Sequence, residues 1–347
     1  MGWLGKKNLG DDACFEATKK LLKKHLHLHY SLLARYYKEL EKPERYNFFI
    51  CGGGTLLSAW GAPWDKCIEK IIQRKIPFII FGSGVQPLHF YWPGKTNCSP
   101  ENRKLLYKII GKAALVGVRG LDSKRTLLRV GCSEKKINVI GDPAFVCNAG
   151  GKNLFKKIRK KLGKRKIIGI NIGTCYNNLL GRNENFLRKE MTLFTRYLIK
   201  KKFGVVFFPV WPEDLKMQNS VVNKVKSKHI YNIKKVQSVA ATIKLIKNLD
   251  VLVGEKLHST VFATCVGTPF ISLAYRPKCI ELAKSVGCGK YVVRTDEKIF
   301  PKLKKLLREV LEKRDEIKNT LIEKRDMYRK RLDLFAEDVA KIIKRFS

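Results

Sequence analysis

The residues best suited to chemistry in this chain lie in Asp250-Val-Leu-Val-Gly-Glu-Lys-Leu-His-Ser-Thr-Val-Phe-Ala263. Val251, Leu252 and Val253 form the short apolar run of a strand buried on both faces, and Gly254 ends it. Ser259 or Thr260 is expected to cap the helix that follows. Glu255, Lys256 and His258 then stand between strand and cap, where unpaired backbone N–H groups and the positive end of the helix dipole favour an anion. An imidazole there suits general acid–base work, while Lys256 adds a positive charge. The plainer alternative is a partly buried core histidine with no catalytic part.

A second set of residues suits anion binding. Gly52-Gly53-Gly54-Thr55 follows an apolar strand and lets backbone approach a ligand closely, with Thr55 expected to cap the next helix. It is neither GxGxxG nor a P-loop, because the Gly-Lys-Ser/Thr end is missing; a tight strand-to-helix turn is the alternative. Gly82-Ser83-Gly84 closes another strand. Val118-Arg119-Gly120-Leu121-Asp122-Ser123 puts a guanidinium at a strand's carboxyl end, where it can grip carboxylate or phosphate with two parallel hydrogen bonds. A surface ion pair to Asp122 or Glu134 is the other use for Arg119. His25, His27 and His29 lie on a lysine-rich helix where only His25 and His29 share a face, which leaves metal binding as a minor reading. Cys265 falls in a helix's apolar pattern and reads as core. Trp211-Pro212-Glu213-Asp214 follows a strand end and suits touching an acceptor or capping a helix equally well.

Strand and helix alternate twice over to position these groups. The first half reads as an amphipathic helix from about Asp12 to Leu40, then strands at Tyr46–Cys51, Ile76–Phe81, Ala114–Val118 and Ile137–Ile140 with helices between them and an irregular aromatic loop at His89-Phe90-Tyr91-Trp92. The second half restarts with strands at Ile167–Ile172, Val205–Pro209, the Asp250 segment and Phe270–Ala274, and closes on a long charged helical tail from Pro301. Strands this apolar, separated by helices, indicate parallel sheets covered on both sides. The expectation is an α/β protein of two Rossmann-like domains facing a cleft. Residues 1–150 form the first, 151–166 a basic linker, and 167–347 the second with its helical tail. No strand precedes the first helix, although a doubly wound domain ordinarily supplies one, so a missing strand and a misplaced start codon both stay open.

Composition bounds the partners. The chain has 347 residues, and 71 Lys+Arg against 30 Asp+Glu give a formal net charge of +41. That charge invites nonspecific binding of anions or nucleic acid, yet the lysines are spread over nearly every helix, as a solvated face would be. The densest run, Lys152 to Lys166, carries no acid and coincides with the expected linker. The 10 cysteines show no CxxC pair and no metal-ligand spacing, which suits reduced thiols and a cytoplasmic protein. The N-terminal residues lack the apolar core of a signal peptide, and no run approaches a membrane span. Gly2 is not read as a myristoylation site because Lys6 stands where Ser or Thr is wanted.

Several short motifs run in a fixed order: Asn8-Leu-Gly-Asp-Asp12, Gly52-Gly-Gly-Thr55, Phe81-Gly-Ser-Gly-Val-Gln86, Val118-Arg-Gly-Leu-Asp-Ser123, Gly141-Asp-Pro143, Gly169-Ile-Asn-Ile-Gly173, Lys256-Leu-His-Ser259 and Pro269–Lys278 with its Ala274-Tyr275. Together they resemble the polysaccharide pyruvyl transferase family. The resemblance implies a GT-B-like pair of domains and transfer of pyruvate from phosphoenolpyruvate onto hydroxyls of a sugar or glycan as a ketal, with no cofactor. The family's Arg-Leu-His motif falls on Lys256, Leu257 and His258, and its other donor-binding arginine on Arg119. Lys256 departs from it, since a lysine keeps the charge and loses the bidentate fork. The reading makes His258, Arg119 and Lys256 catalytic, and Gly53, Gly54, Thr55, Gly84, Glu255, Ser259 and Tyr275 substrate-binding. It expects Arg119 and the Lys256–His258 segment to face each other across the cleft. A glycosyltransferase of the same architecture using a nucleotide sugar is the rival reading. A basic nucleic-acid-binding protein is a weaker one, because no helix-turn-helix, zinc finger or RNP pattern is present.

Overall fold

The computed structural model describes residues 7–26, 42–88 and 99–346. The expected helix beyond residue 26, with His27 and His29, and the aromatic loop at residues 89–92 lie outside the described residues. The chain divides into two compact units, Met1–Val146 with Asp326–Ser347, and Cys147–Arg325.

The first unit runs α1 (Leu9–His25), β1 (Phe49–Gly52), α2 (Pro63–Gln73), β2 (Phe78–Ser83), α3 (Pro100–Lys112), β3 (Leu115–Val118), α4 (Leu121–Arg129) and β4 (Ile137–Val139). Its four strands pair in parallel in the order β1-β2-β3-β4. Ile79, Ile80, Phe81, Val116 and Val118 are fully buried, as a parallel sheet covered on both faces requires. Ile68, Ile71, Leu106 and Ile109 of α2 and α3 pack on it. Helix α3 starts where Ser99 Oγ accepts from Asn102 N at 3.2 Å, with Pro100 at its first position. Thr55 does not cap the helix after the glycines. The chain runs on as a loop to Ala62, and Asp65 Oδ2 accepts from Ala62 N at 3.0 Å to open α2.

The second unit runs α5 (Phe155–Leu162), β5 (Ile167–Asn171), α6 (Glu184–Lys200), β6 (Gly204–Phe207), α7 (Asp214–Val225), β7 (Ile230–Asn232), α8 (Val239–Lys247), β8 (Val251–Gly254), α9 (Leu257–Val266), β9 (Phe270–Ala274), α10 (Pro277–Ser285), β10 (Val292–Arg294), α11 (Ile299–Glu312) and the start of α12 (Arg314–Ile343). The order β10-β9-β8-β5-β6-β7 is all parallel and doubly wound. The winding reverses between the neighbours β5 and β8, where Asn171 pairs with Gly254. In such sheets ligands bind outside the carboxyl ends of the strands at this reversal.

Two boundaries differ from the sequence expectation. Residues 151–166 are not a plain linker, because α5 buries Ile158 and Leu162 and packs Leu162 over Gly204 beside the edge strand. Its basic residues hid an amphipathic helix whose apolar face repeats every four residues. The tail does not belong wholly to the second unit. Beyond residue 325, α12 supplies core to the first: Phe335 meets Phe81 edge-on at 5.4 Å, and Tyr328 stacks on Phe145 at 5.3 Å.

Candidate functional site at the strand-order reversal

Strand β8 delivers Glu255 and Lys256 to the reversal point of the second sheet, and β5 delivers Gly173, Thr174 and Cys175 beside them. Glu255 is fully buried; its Oε2 accepts from Gly173 N at 2.7 Å, and Cys175 Sγ donates to Oε1 at 3.7 Å. Burial pushes this carboxyl up to about 7 against the pull of Lys256 and the Gly173 N–H. Lys256 Nζ donates to Thr174 O at 2.7 Å and to Cys175 Sγ at 3.1 Å, and lies 3.6 Å from Asp214 Oδ1. Burial alone would drive its ammonium toward neutrality, but Glu255, Cys175, Asp214 and Tyr275 carry it above the ordinary lysine range, so the charge is kept. Burial raises the Cys175 thiol to about 12, with Glu255 adding to the rise. Rings of Tyr275 and Trp211 flank Nζ at 5.3 and 5.8 Å.

Asp214, read from sequence only as part of a turn that touches an acceptor or caps a helix, holds the site together. Its Oδ2 accepts from Val210 N and Trp211 N at 3.1 Å each and from Asn171 Nδ2 at 3.4 Å. Asn171 Oδ1 in turn accepts from Lys256 N at 3.2 Å. Gly173 makes this packing feasible, because a Cβ there would sit 1.9 Å from Asp214 Oδ1 and 2.7 Å from Lys256 Cε. The available sequence signal was Asn171, a polar residue ending an otherwise apolar strand.

Helix α9 begins earlier than expected. Lys256 is its N-cap, so His258 sits in its first turn with its ring 6.2 Å from that of Phe262. Ser259 and Thr260 lie inside the helix and do not cap it; their hydroxyls donate to Lys256 O and Leu257 O at 2.7 Å each. Their position after a strand end fits a cap equally well by residue type, which is why sequence pattern alone misplaced the start.

The first unit gathers the other predicted residues at the ends of β1, β2 and β3. Arg119 is 2% exposed, and its partner is neither Asp122 nor Glu134. Its Nε lies 3.1 Å from Asp142 Oδ2, an ion pair without hydrogen-bond angles, and its Nη2 donates to Gly54 O. Gly54 O also accepts from Gly84 N at 2.9 Å, tying the two glycine turns together. Gly53 and Gly54 both have positive φ, at 70° and 62°, which excludes most side chains. Arg119 Nη1 and Thr55 Oγ1 are buried without hydrogen-bond partners and both crowd Gly84, at 3.3 and 3.1 Å from where its Cβ would lie. Buried, unsatisfied donors beside a backbone that has no side chain suit an anionic guest.

Two Rossmann-like units with parallel sheets, one of them carrying a buried polar cluster at its winding reversal, define a GT-B-like protein. Solved structures agree: UDP-GlcNAc 2-epimerase from Neisseria meningitidis bound to UDP-GlcNAc has TM-score 0.60 at 15% identity, over 94% of this chain and 82% of that one. The Methanocaldococcus jannaschii UDP-GlcNAc 2-epimerase in complex with UDP-GlcNAc and UDP gives 0.55 at 18%, over 86% and 75%. A UDP-forming α,α-trehalose-phosphate synthase from Burkholderia vietnamiensis gives 0.52 at 13%, over 81% and 71%. The chain itself belongs to the polysaccharide pyruvyl transferase family, which it matches over residues 8–277. No protein of curated function matches the sequence. Among the described residues no helix is long and apolar enough to cross a membrane.

Proposed function

We propose that this transferase moves pyruvate from phosphoenolpyruvate onto two hydroxyls of a sugar, forming a cyclic ketal and releasing phosphate. The observation that carries the reading is the family match across residues 8–277, which includes the Lys256-Leu-His258 segment at the winding reversal. In this scheme His258 protonates the methylene carbon of the enol phosphate, making a methyl group and an oxocarbenium-like centre at C2. One sugar hydroxyl adds to that centre. The C2–O bond to phosphate then breaks and the second hydroxyl closes the ring. Of the two hydroxyl protons, one replaces the proton given by the imidazole and the other leaves on phosphate. No cofactor enters this balance.

Lys256 is assigned an indirect part. Its ammonium is committed to Thr174 O and Asp214, so it keeps two buried carboxylates compatible and adds positive potential beside the α9 N-terminus. In the first unit, Arg119 Nη1 and the Gly53-Gly54-Thr55 turn, with Gly84 leaving room, are assigned to an anionic group of a substrate. The likeness to UDP-sugar enzymes supports a second reading, a nucleotide-sugar donor. Phosphate release and the new ketal methyl signal in proton NMR test the first. His258→Gln should slow ketal formation by about 10²–10⁴ while the thermal shift caused by phosphoenolpyruvate stays nearly unchanged. Full activity in His258→Gln overturns the acid assignment. A thermal shift with UDP-GlcNAc and none with phosphoenolpyruvate overturns the donor.

A further inference from the structure

Beside the Lys256 cluster, the loop from β5 to α6 carries an aromatic side chain that the fold does not bury. Tyr176 is 67% exposed, two residues after the Thr174 carbonyl that holds Lys256 Nζ. Its backbone is in the left-handed region, φ 53°, as are those of Asn177 at 56° and Arg182 at 49°. Such conformations cost free energy for residues with a Cβ and persist only where neighbours fix them. Here Glu184 fixes the first two. Its carboxylate accepts from Thr174 Oγ1 at 3.0 and 2.9 Å, from Cys175 N and from Asn177 N at 3.1 Å, while Asn177 Oδ1 accepts from Glu184 N at 3.1 Å. A loop bound this firmly presents its tyrosine in one place. The phenol donates to Glu213 Oε2 at 2.9 Å, and Glu213 belongs to the Trp211-Pro212-Glu213 turn at the neighbouring end of β6.

An exposed ring and a carboxylate held at its edge are groups that recognise a pyranose. The C–H face of a sugar covers apolar ring surface, and its hydroxyls then donate to the carboxylate. The placement also suits the reaction, since the ring stands at the same strand ends as His258 and not elsewhere on the unit. The hydrogen bond from the phenol fixes both the ring's tilt and the free Glu213 oxygen. We infer that Tyr176 and Glu213 form the acceptor subsite, taking a hexopyranose that offers one unobstructed C–H face to the ring and a pair of neighbouring hydroxyls to the centre. The inference rests on the pyruvyl-transfer reading for the hydroxyl pair, but the sugar-binding part stands by itself and is tested by itself.

Saturation-transfer NMR with methyl β-D-galactopyranoside, methyl β-D-glucopyranoside and methyl β-D-mannopyranoside as probes measures binding without any turnover. Wild type should saturate the protons of one sugar face in at least one probe. Tyr176→Ala should weaken that probe at least tenfold, Tyr176→Phe should keep the ring contact with a loss below about threefold, and Glu213→Gln should fall between them. The phosphoenolpyruvate thermal shift should be the same in all four proteins, which also reports that each is folded. Equal probe binding in wild type and Tyr176→Ala, or no binding of any probe to wild type, overturns the subsite. Loss of probe binding in Tyr176→Ala by a protein that forms no ketal with phosphoenolpyruvate upholds the subsite and overturns the donor reading instead.

Discussion

Truncating Asp214 to alanine should destabilise the second unit more than any surface change could. The side chain is fully buried, 3.6 Å from Lys256 Nζ. At an effective dielectric constant of about 20 that pair attracts by about 4–5 kcal/mol. Only part of this is lost, because Glu255 still balances Lys256, and part is offset by sparing the desolvation of a buried carboxylate. Alanine also strips the acceptor from Val210 N and Trp211 N. Each amide left unsatisfied in the interior costs about 1–3 kcal/mol. The net expectation for Asp214→Ala is about 4 kcal/mol, a large share of the roughly 5–15 kcal/mol that holds a domain folded. Asp214→Asn retains an oxygen for the two amides and loses only the charge, so about 2 kcal/mol is expected. Urea unfolding followed by far-UV circular dichroism and by tryptophan fluorescence supplies both values, with Trp211 reporting on the altered turn. Should alanine and asparagine prove equal, the two amide bonds are worthless and the accounting fails. Should both stay within about 0.5 kcal/mol of wild type, Asp214 does not hold the cluster.

Other outcomes follow from single contacts. Burial pushes the Asp65 carboxyl up to about 8, whereas an unfolded chain releases that proton near 4. The native state therefore holds the extra proton between those values, and stability falls as pH rises through the window. Asp65→Asn should flatten that fall, gaining on wild type at pH 8.5 relative to pH 5; identical slopes of melting temperature against pH would refute it. Arg119→Ala removes the guanidinium beside the buried Asp142 carboxylate and should cost about 3–5 kcal/mol, while Arg119→Lys keeps the charge, loses the bond to Gly54 O and should cost about 1–2. Denaturant midpoints that do not separate the two variants would remove the guanidinium's special part. Lys256→Arg must fit a bulkier guanidinium among Thr174 O, Asp214 and the rings of Trp211 and Tyr275; overpacking of about 1–3 kcal/mol is expected by the same measurement.

Of the ten strands among the described residues, eight were legible as apolar runs between glycine or proline signals, because parallel strands buried on both faces cannot dilute their hydrophobic residues. The two missed, β7 and β10, are three-residue strands at the sheet's edges, where Ile230 and Val293 alone are buried and periodicity has nothing to act on. Helix α5 was hidden for the opposite reason: lysine and arginine on its exposed side outweighed Ile158 and Leu162 in composition. The site residues split the same way. His258, Lys256 and Glu255 stood out because polar groups ended an apolar strand. Asp214 stood out only as part of the turn after β6 and Glu184 not at all, since each resembles an ordinary acid in the first turn of a helix. Only the folded loops show that one is bound to Lys256 and the other to a left-handed backbone.

The discontinuity of the first unit bears on how the protein is made. Its sheet is complete once residue 139 has been synthesised, but Tyr328 and Phe335, which close over Phe145, Phe81 and Gly117, come almost two hundred residues later. A chain emerging from the ribosome must therefore carry the first sheet without those two rings while the whole second unit, continuous from Cys147 to Arg325, is still being made. The second unit can finish folding first even though its synthesis starts after the first sheet is made, and the nascent first unit is the natural client for a chaperone until α12 arrives.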